Sequence, residues 1–149
     1  MISAWDKSLD LLSRAEHSAL DLKRKLRNKG YDQEEIDEVI RRLYSVGYLS
    51  DERYARAYLR KFLPVKSVHL ICRELGQKGI ALAPEDPLVS EVLEEEGIIE
   101  DETVLSLISR KLRGNDQPDE KERRRLYAYL QRRGFSYHTI EKAMSSLGV

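Results

Sequence analysis

Six residues recur at a distance of fifty: Gly47-Tyr48-Leu49-Ser50-Asp51-Glu52 returns as Gly97-Ile98-Ile99-Glu100-Asp101-Glu102. Both copies read glycine, two apolar residues, a polar one, Asp and Glu. A period of this size marks supersecondary units that cannot bury an apolar face alone and stack on their neighbours. A second glycine series occurs three times, ending Leu26-Arg27-Asn28-Lys29-Gly30-Tyr31, Leu75-Gly76-Gln77-Lys78-Gly79-Ile80 and Leu130-Gln131-Arg132-Arg133-Gly134-Phe135. Each copy carries Leu, a basic residue, Gly and a large apolar residue.

Eight and four residues before these glycines stand Leu22 and Leu26, Ile71 and Leu75, and Leu126 and Leu130, the spacing of one helix face. The glycine then reads as the left-handed residue past a helix end, with Lys29, Lys78 and Arg133 facing the negative end of the helix dipole. Gly47, Gly97 and Gly148 close further helices, each preceded by apolar residues at the same two offsets. After Gly47 and Gly97 a third helix opens, on which Tyr54, Tyr58 and Phe62 align with Val104, Ile108 and Leu112 as inward residues. Asp32 with Glu35, Ser18 with Asp21, and Ser136 have the chemistry of helix starts.

The spacing predicts helices near 4–15, 18–29, 32–46, 51–62, 66–78, 85–96, 101–113, 119–133 and 136–147. No segment alternates like a strand and no Asn-Gly or Asp-Gly hairpin turn occurs. The fold class is therefore all-α: a tandem repeat of three three-helix units, 1–49, 50–99 and 100–149, expected to form an elongated, curved array. Pro64 ends a helix, Pro84 and Pro87 open one, and Pro118 starts another after a polar stretch.

The formal charge is zero, from 26 basic and 26 acidic residues, and the last third holds ten basic against eight acidic. Bulk basicity is absent, which argues against a protein that coats naked nucleic acid. No segment approaches the roughly 20 apolar residues that span a bilayer, and Met1 to Lys7 lacks a basic region followed by an apolar run. A soluble, cytoplasmic protein with no membrane contact is expected. Cys72 stands alone beside Ile71 and reads as a buried, inert thiol.

Nothing points to catalysis, a metal or a cofactor. His17, His69 and His138 are scattered without ligand-spaced neighbours and read as surface or helix-terminal residues. The pairs Asp51-Glu52 and Asp101-Glu102 follow glycine turns, where acids belong at helix N-termini. No phosphate-cradling glycine loop or nucleophile elbow occurs.

Surface charge is what remains. If Tyr54, Tyr58 and Phe62 face inward, Arg53, Arg56 and Arg60 share the opposite side. Arg24 and Arg27 lie away from Leu22 and Leu26, and Lys121, Arg125 and Arg132 lie opposite Leu126 and Leu130. Each unit thus offers a basic strip, either a solvated face or a partner contact. Reversing Arg53, Arg56 and Arg60 to Glu is expected to leave the fold intact and weaken partner binding. The tyrosines read as packing residues rather than stacking platforms, because Tyr31 and Tyr48 occupy slots that Ile80, Phe135 and Ile98 also fill.

Gly47-Tyr48-Leu49-Ser50-Asp51-Glu52-Arg53-Tyr54-Ala55-Arg56-Ala57-Tyr58, followed by Arg73-Glu74-Leu75-Gly76-Gln77-Lys78-Gly79-Ile80, resembles the signature of the RecX family, regulators of the bacterial recombinase RecA. The run Ala19 to Tyr31 is similar to that family's first unit, so the resemblance covers about residues 8 to 80 well and the rest more weakly. It implies a small cytoplasmic protein without catalysis. Such a protein binds the RecA filament on single-stranded DNA, lodges in its groove, and limits ATP hydrolysis and strand exchange. A monomer with weak direct DNA contact fits this picture. The rival from another class is a direct DNA binder of helix-turn-helix type, and a third reading is a helical adaptor for an unrelated protein.

Overall fold

Side-chain caps open eight of the nine helices of the computed structural model, which describes all 149 residues. The helices are α1 (Ala4–Arg14), α2 (Ala19–Asn28), α3 (Gln33–Ser45), α4 (Asp51–Phe62), α5 (Val68–Gln77), α6 (Pro87–Glu96), α7 (Glu100–Leu112), α8 (Glu120–Arg132) and α9 (Tyr137–Leu147). There is no strand. Ser18, Asp32 and Ser136 accept from the backbone N–H three residues on, as does Ser50 at the head of α4. Asp119 and Glu122 form a reciprocal capping box on α8. Only α7 starts on a residue with no cap bond, Ile99, and its first turn instead holds Glu100, Asp101 and Glu102 against the positive end of the helix dipole.

The chain divides into two compact units: residues 1–58 with 74–82, and residues 59–73 with 83–149. In the first, α1, α2 and α3 pack on one another pairwise around Leu22, Leu26, Ile36, Leu43 and Leu49. Tyr31 closes that core, its hydroxyl donating to the Ile2 carbonyl at 2.6 Å. In the second unit α7, α8 and α9 pack pairwise around Val104, Ile108, Leu130 and Ile140, with Phe135 in the slot of Tyr31. The buried residues of α3 stand at 36, 39, 40 and 43, so the periodicity that builds the helix also builds the core.

The face of α4 differs from expectation. Ala55, Leu59 and Leu63 are buried, and Tyr54, Tyr58 and Phe62 are only half-buried on its flank. The reason lies in the turns: three residues separate Gly47 from α4, but only two separate Gly97 from α7. Along the helices Ala55 and Leu59 therefore match Val104 and Ile108, one residue off the alignment that the glycines suggest. Tyr48 also departs from its slot, since Leu49 takes the buried position and Tyr48 is 53% exposed beside Trp5.

The repeated glycines Gly30, Gly79 and Gly134 share a positive φ, and at Gly134 a close approach adds to it. The φ of Gly134 is +91°, and a Cβ there would meet the Ser67 hydroxyl and, at 2.5 Å, the Leu70 Cβ. Ser67 caps α5 through Leu70 N–H and donates its own N–H to the Arg133 carbonyl, so that helix start is fastened directly to the glycine turn. His17 is buried rather than on the surface. Its Nδ1 donates to the Ala15 carbonyl at 2.8 Å, which leaves Nε2 to accept from Lys25 Nζ at 2.8 Å.

Candidate partner-binding surface

The eight cations singled out by helical geometry fall into two groups according to what they touch. On α2, Arg24 is exposed 3.8 Å from Asp21, and Arg27 is exposed without an ion pair. On α4, Arg53 donates to Glu16 at 3.0 Å and the half-buried Arg56 to Glu52 at 3.3 Å. Arg60 reaches Glu95 at 3.4 Å and Glu96 at 3.5 Å. The α4 arginines are thus individually answered by carboxylates. By contrast, Lys121, Arg125 and Arg132 on α8 are exposed and form no ion pair.

Arg125 and Arg132 line one groove of about 370 Å³ between α7 and α8, and Lys121 lies outside it. The groove brings in residues that the strip alone does not suggest: Lys111, whose Nζ sits 4.2 Å from the Tyr129 ring centroid, and Tyr129 itself. Arg133 approaches the same ring at 5.1 Å. The signal was in the spacing, because Tyr129 follows Arg125 by four residues and precedes Arg132 by three, which places all three on one helix face. A tyrosine read only as packing is here a platform for cations.

A second polar cluster lies in the first unit. Lys78 Nζ donates to Asp21 Oδ2 at 3.1 Å, rather than serving the end of its own helix, and Tyr58 donates to Glu74 at 2.9 Å. Burial pushes the Asp21 carboxyl up, but hydrogen bonds from Lys78 and Ser18 and the nearby positive charges outweigh it and hold it below its usual range. Burial likewise pulls Lys78 down, and Asp21 reverses that and raises it. The Tyr58 phenol is raised by burial first and by Glu74 second, and that of Tyr44 is pushed up to about 12 by burial and its bond to Asp51. The Asp21–Lys78 and Tyr58–Glu74 bonds tie α2, α4 and α5 together within the unit. Cys72 is buried, and burial raises its thiol, with Glu85 and Asp86 adding to the effect. No group of three His, Cys, Asp or Glu side chains is placed to share a metal ion. No helix is long and apolar enough to cross a membrane.

Three-helix bundles with capped starts and glycine ends, packed without any strand, define an all-α protein of helical-repeat class. Residues 4–43 match the family description "RecX, first three-helix domain" and residues 99–144 "RecX, third three-helix domain". The chain is 34% identical over 142 residues to the regulatory protein RecX of Syntrophotalea carbinolica, covering 89% of this chain and 88% of that protein. It is 32% identical to the regulatory protein RecX of Vibrio vulnificus, covering 97% and 93%. The crystal structure of RecX from Lactobacillus salivarius shares the fold, with a TM-score of 0.69, 22% identity and coverage of 97% and 94%. The chain belongs to the RecX family.

Proposed function

We propose that the chain is a negative modulator of the recombinase RecA, binding the groove of the RecA filament on single-stranded DNA and limiting ATP hydrolysis and strand exchange. The observation that carries this reading is the near full-length match to regulatory proteins named RecX. The chain acts in the cytoplasm as a monomer of three three-helix repeats, 1–49, 50–99 and 100–149. Its basic strips, Arg24 and Arg27, Arg53, Arg56 and Arg60, and Lys121, Arg125 and Arg132, meet the partner. Several modest contacts on one chain reinforce each other when the partner is itself a repeating assembly.

The unpaired cations of α8 favour a second reading, direct binding to nucleic acid. A RecA ATPase assay on single-stranded DNA, with the chain titrated in below the RecA concentration, tests the first: hydrolysis is expected to fall. Unchanged hydrolysis at equimolar chain contradicts it. The second reading requires binding to DNA without RecA, with affinity that drops steeply as salt rises.

A further inference from the structure

The groove between α7 and α8 has a composition that neither a solvated face nor a plain phosphate site explains. Its walls carry Lys111, Arg125 and Arg132, none of which forms an ion pair. Its single acid, Glu122, has both oxygens engaged: Oε1 accepts from Asp119 N–H at 3.5 Å and Oε2 from the Asn115 amide at 3.0 Å. The floor is apolar, made by the half-buried Leu112 and Tyr129 ring over the buried Leu126. Lys111 and Arg133 both stand against that ring, so cations already compete for the faces a base would need.

We infer that this groove seats an acidic protein segment whose one large apolar side chain rests on the apolar floor at Leu112 and Tyr129 while flanking carboxylates meet Arg125, Arg132 and Lys111. Charge complementarity selects an anion, because three cations converge where the local acid is already committed. The floor selects between kinds of anion. A nucleic-acid backbone would satisfy the cations but leave the half-buried Leu112 and Tyr129 ring facing water or sugar, whereas a peptide supplies carboxylate and hydrocarbon together.

The inference rests on the partner-binding reading above and names the chemistry of the partner at that surface. The test is fluorescence anisotropy of the full chain with a labelled peptide reading Glu-Asp-Phe-Asp-Glu, at moderate salt. Saturable binding is expected, weakened about tenfold or more both by Arg125→Ala with Arg132→Ala and by Ser in place of the peptide's Phe. Both arginines are exposed, so the double variant should melt as the parent does. No saturation up to about 1 mM peptide, near the weak end of measurable affinity, overturns the inference. So does binding that the double variant leaves unchanged, or a labelled oligo-dT that needs the two arginines while the peptide does not bind. A chain that suppresses RecA ATPase but ignores the peptide removes the groove and keeps the RecA reading. One that takes the peptide at the groove but leaves the ATPase untouched does the reverse.

Discussion

At the scale of single residues, the Asp21–Lys78 pair of the first unit ties α2 to the end of α5 at 3.1 Å, with both side chains less than a third exposed, at 23% and 30%. Each partner holds the other charged against the pull of burial. Asp21 is lowered from an ordinary value of 3.8, so its contribution to stability is present above that value and is lost as pH falls through the lower, folded one. Lys78 is raised from 10.5, so its contribution is present below that value and is lost as pH rises through the higher, folded one. We therefore expect Lys78→Met to lower unfolding free energy by about 1 kcal/mol on a plateau between these limits, with the deficit shrinking at both acid and alkaline ends. Urea unfolding of the two proteins across pH checks it, and a deficit that stays the same at pH values well below the ordinary carboxylate range would show that packing of the lysine stem, not its charge, is responsible.

Elements show what was legible in advance and what was not. Nine helices could be read because caps, glycine ends and apolar spacing agree segment by segment, as Ser18, Leu22, Leu26 and Gly30 do for α2. The facing of α4 could not, because the glycine alignment carries the turn length with it and the turn before α7 is one residue shorter. Tyr54, Tyr58 and Phe62 are apolar enough to pass for a core face, and the smaller Ala55 hides the true one. Half of the candidate surface was visible for the same reason: positions of charges on helices follow from periodicity, whereas their carboxylate partners on other helices, Glu16 for Arg53 and Glu95 for Arg60, do not. The register of α4 has a direct consequence. Leu59 is fully buried, so Leu59→Ala should cost about 2–5 kcal/mol, and the half-buried Phe62→Ala distinctly less. Thermal unfolding decides it, and a larger loss from Phe62→Ala than from Leu59→Ala would restore the alignment drawn from the glycines.

For the whole molecule, 26 positive and 26 negative charges cancel, so the far field is weak and a partner responds to how charges are locally matched. The α4 arginines all meet carboxylates, and the α8 trio does not. That contrast separates charges matched within the protein from charges left unmatched on its surface. Neutralising Arg53, Arg56 and Arg60 to Gln removes several exposed or half-exposed ion pairs, each worth a few tenths of a kcal/mol, and should lower stability by about 1 kcal/mol in total. Neutralising Lys121, Arg125 and Arg132 breaks no pair and should change stability by less than about 0.5 kcal/mol. The first deficit should fade in concentrated salt, where the Debye length falls to about 3 Å, close to the pair distances themselves. Denaturant unfolding of both triple variants at low and high salt measures this, and equal losses in the two would mean that the pairing in α4 contributes nothing. If the α4 variant loses stability and the α8 variant does not, a loss of the RecA inhibition proposed above by the α8 variant can be assigned to binding rather than to folding.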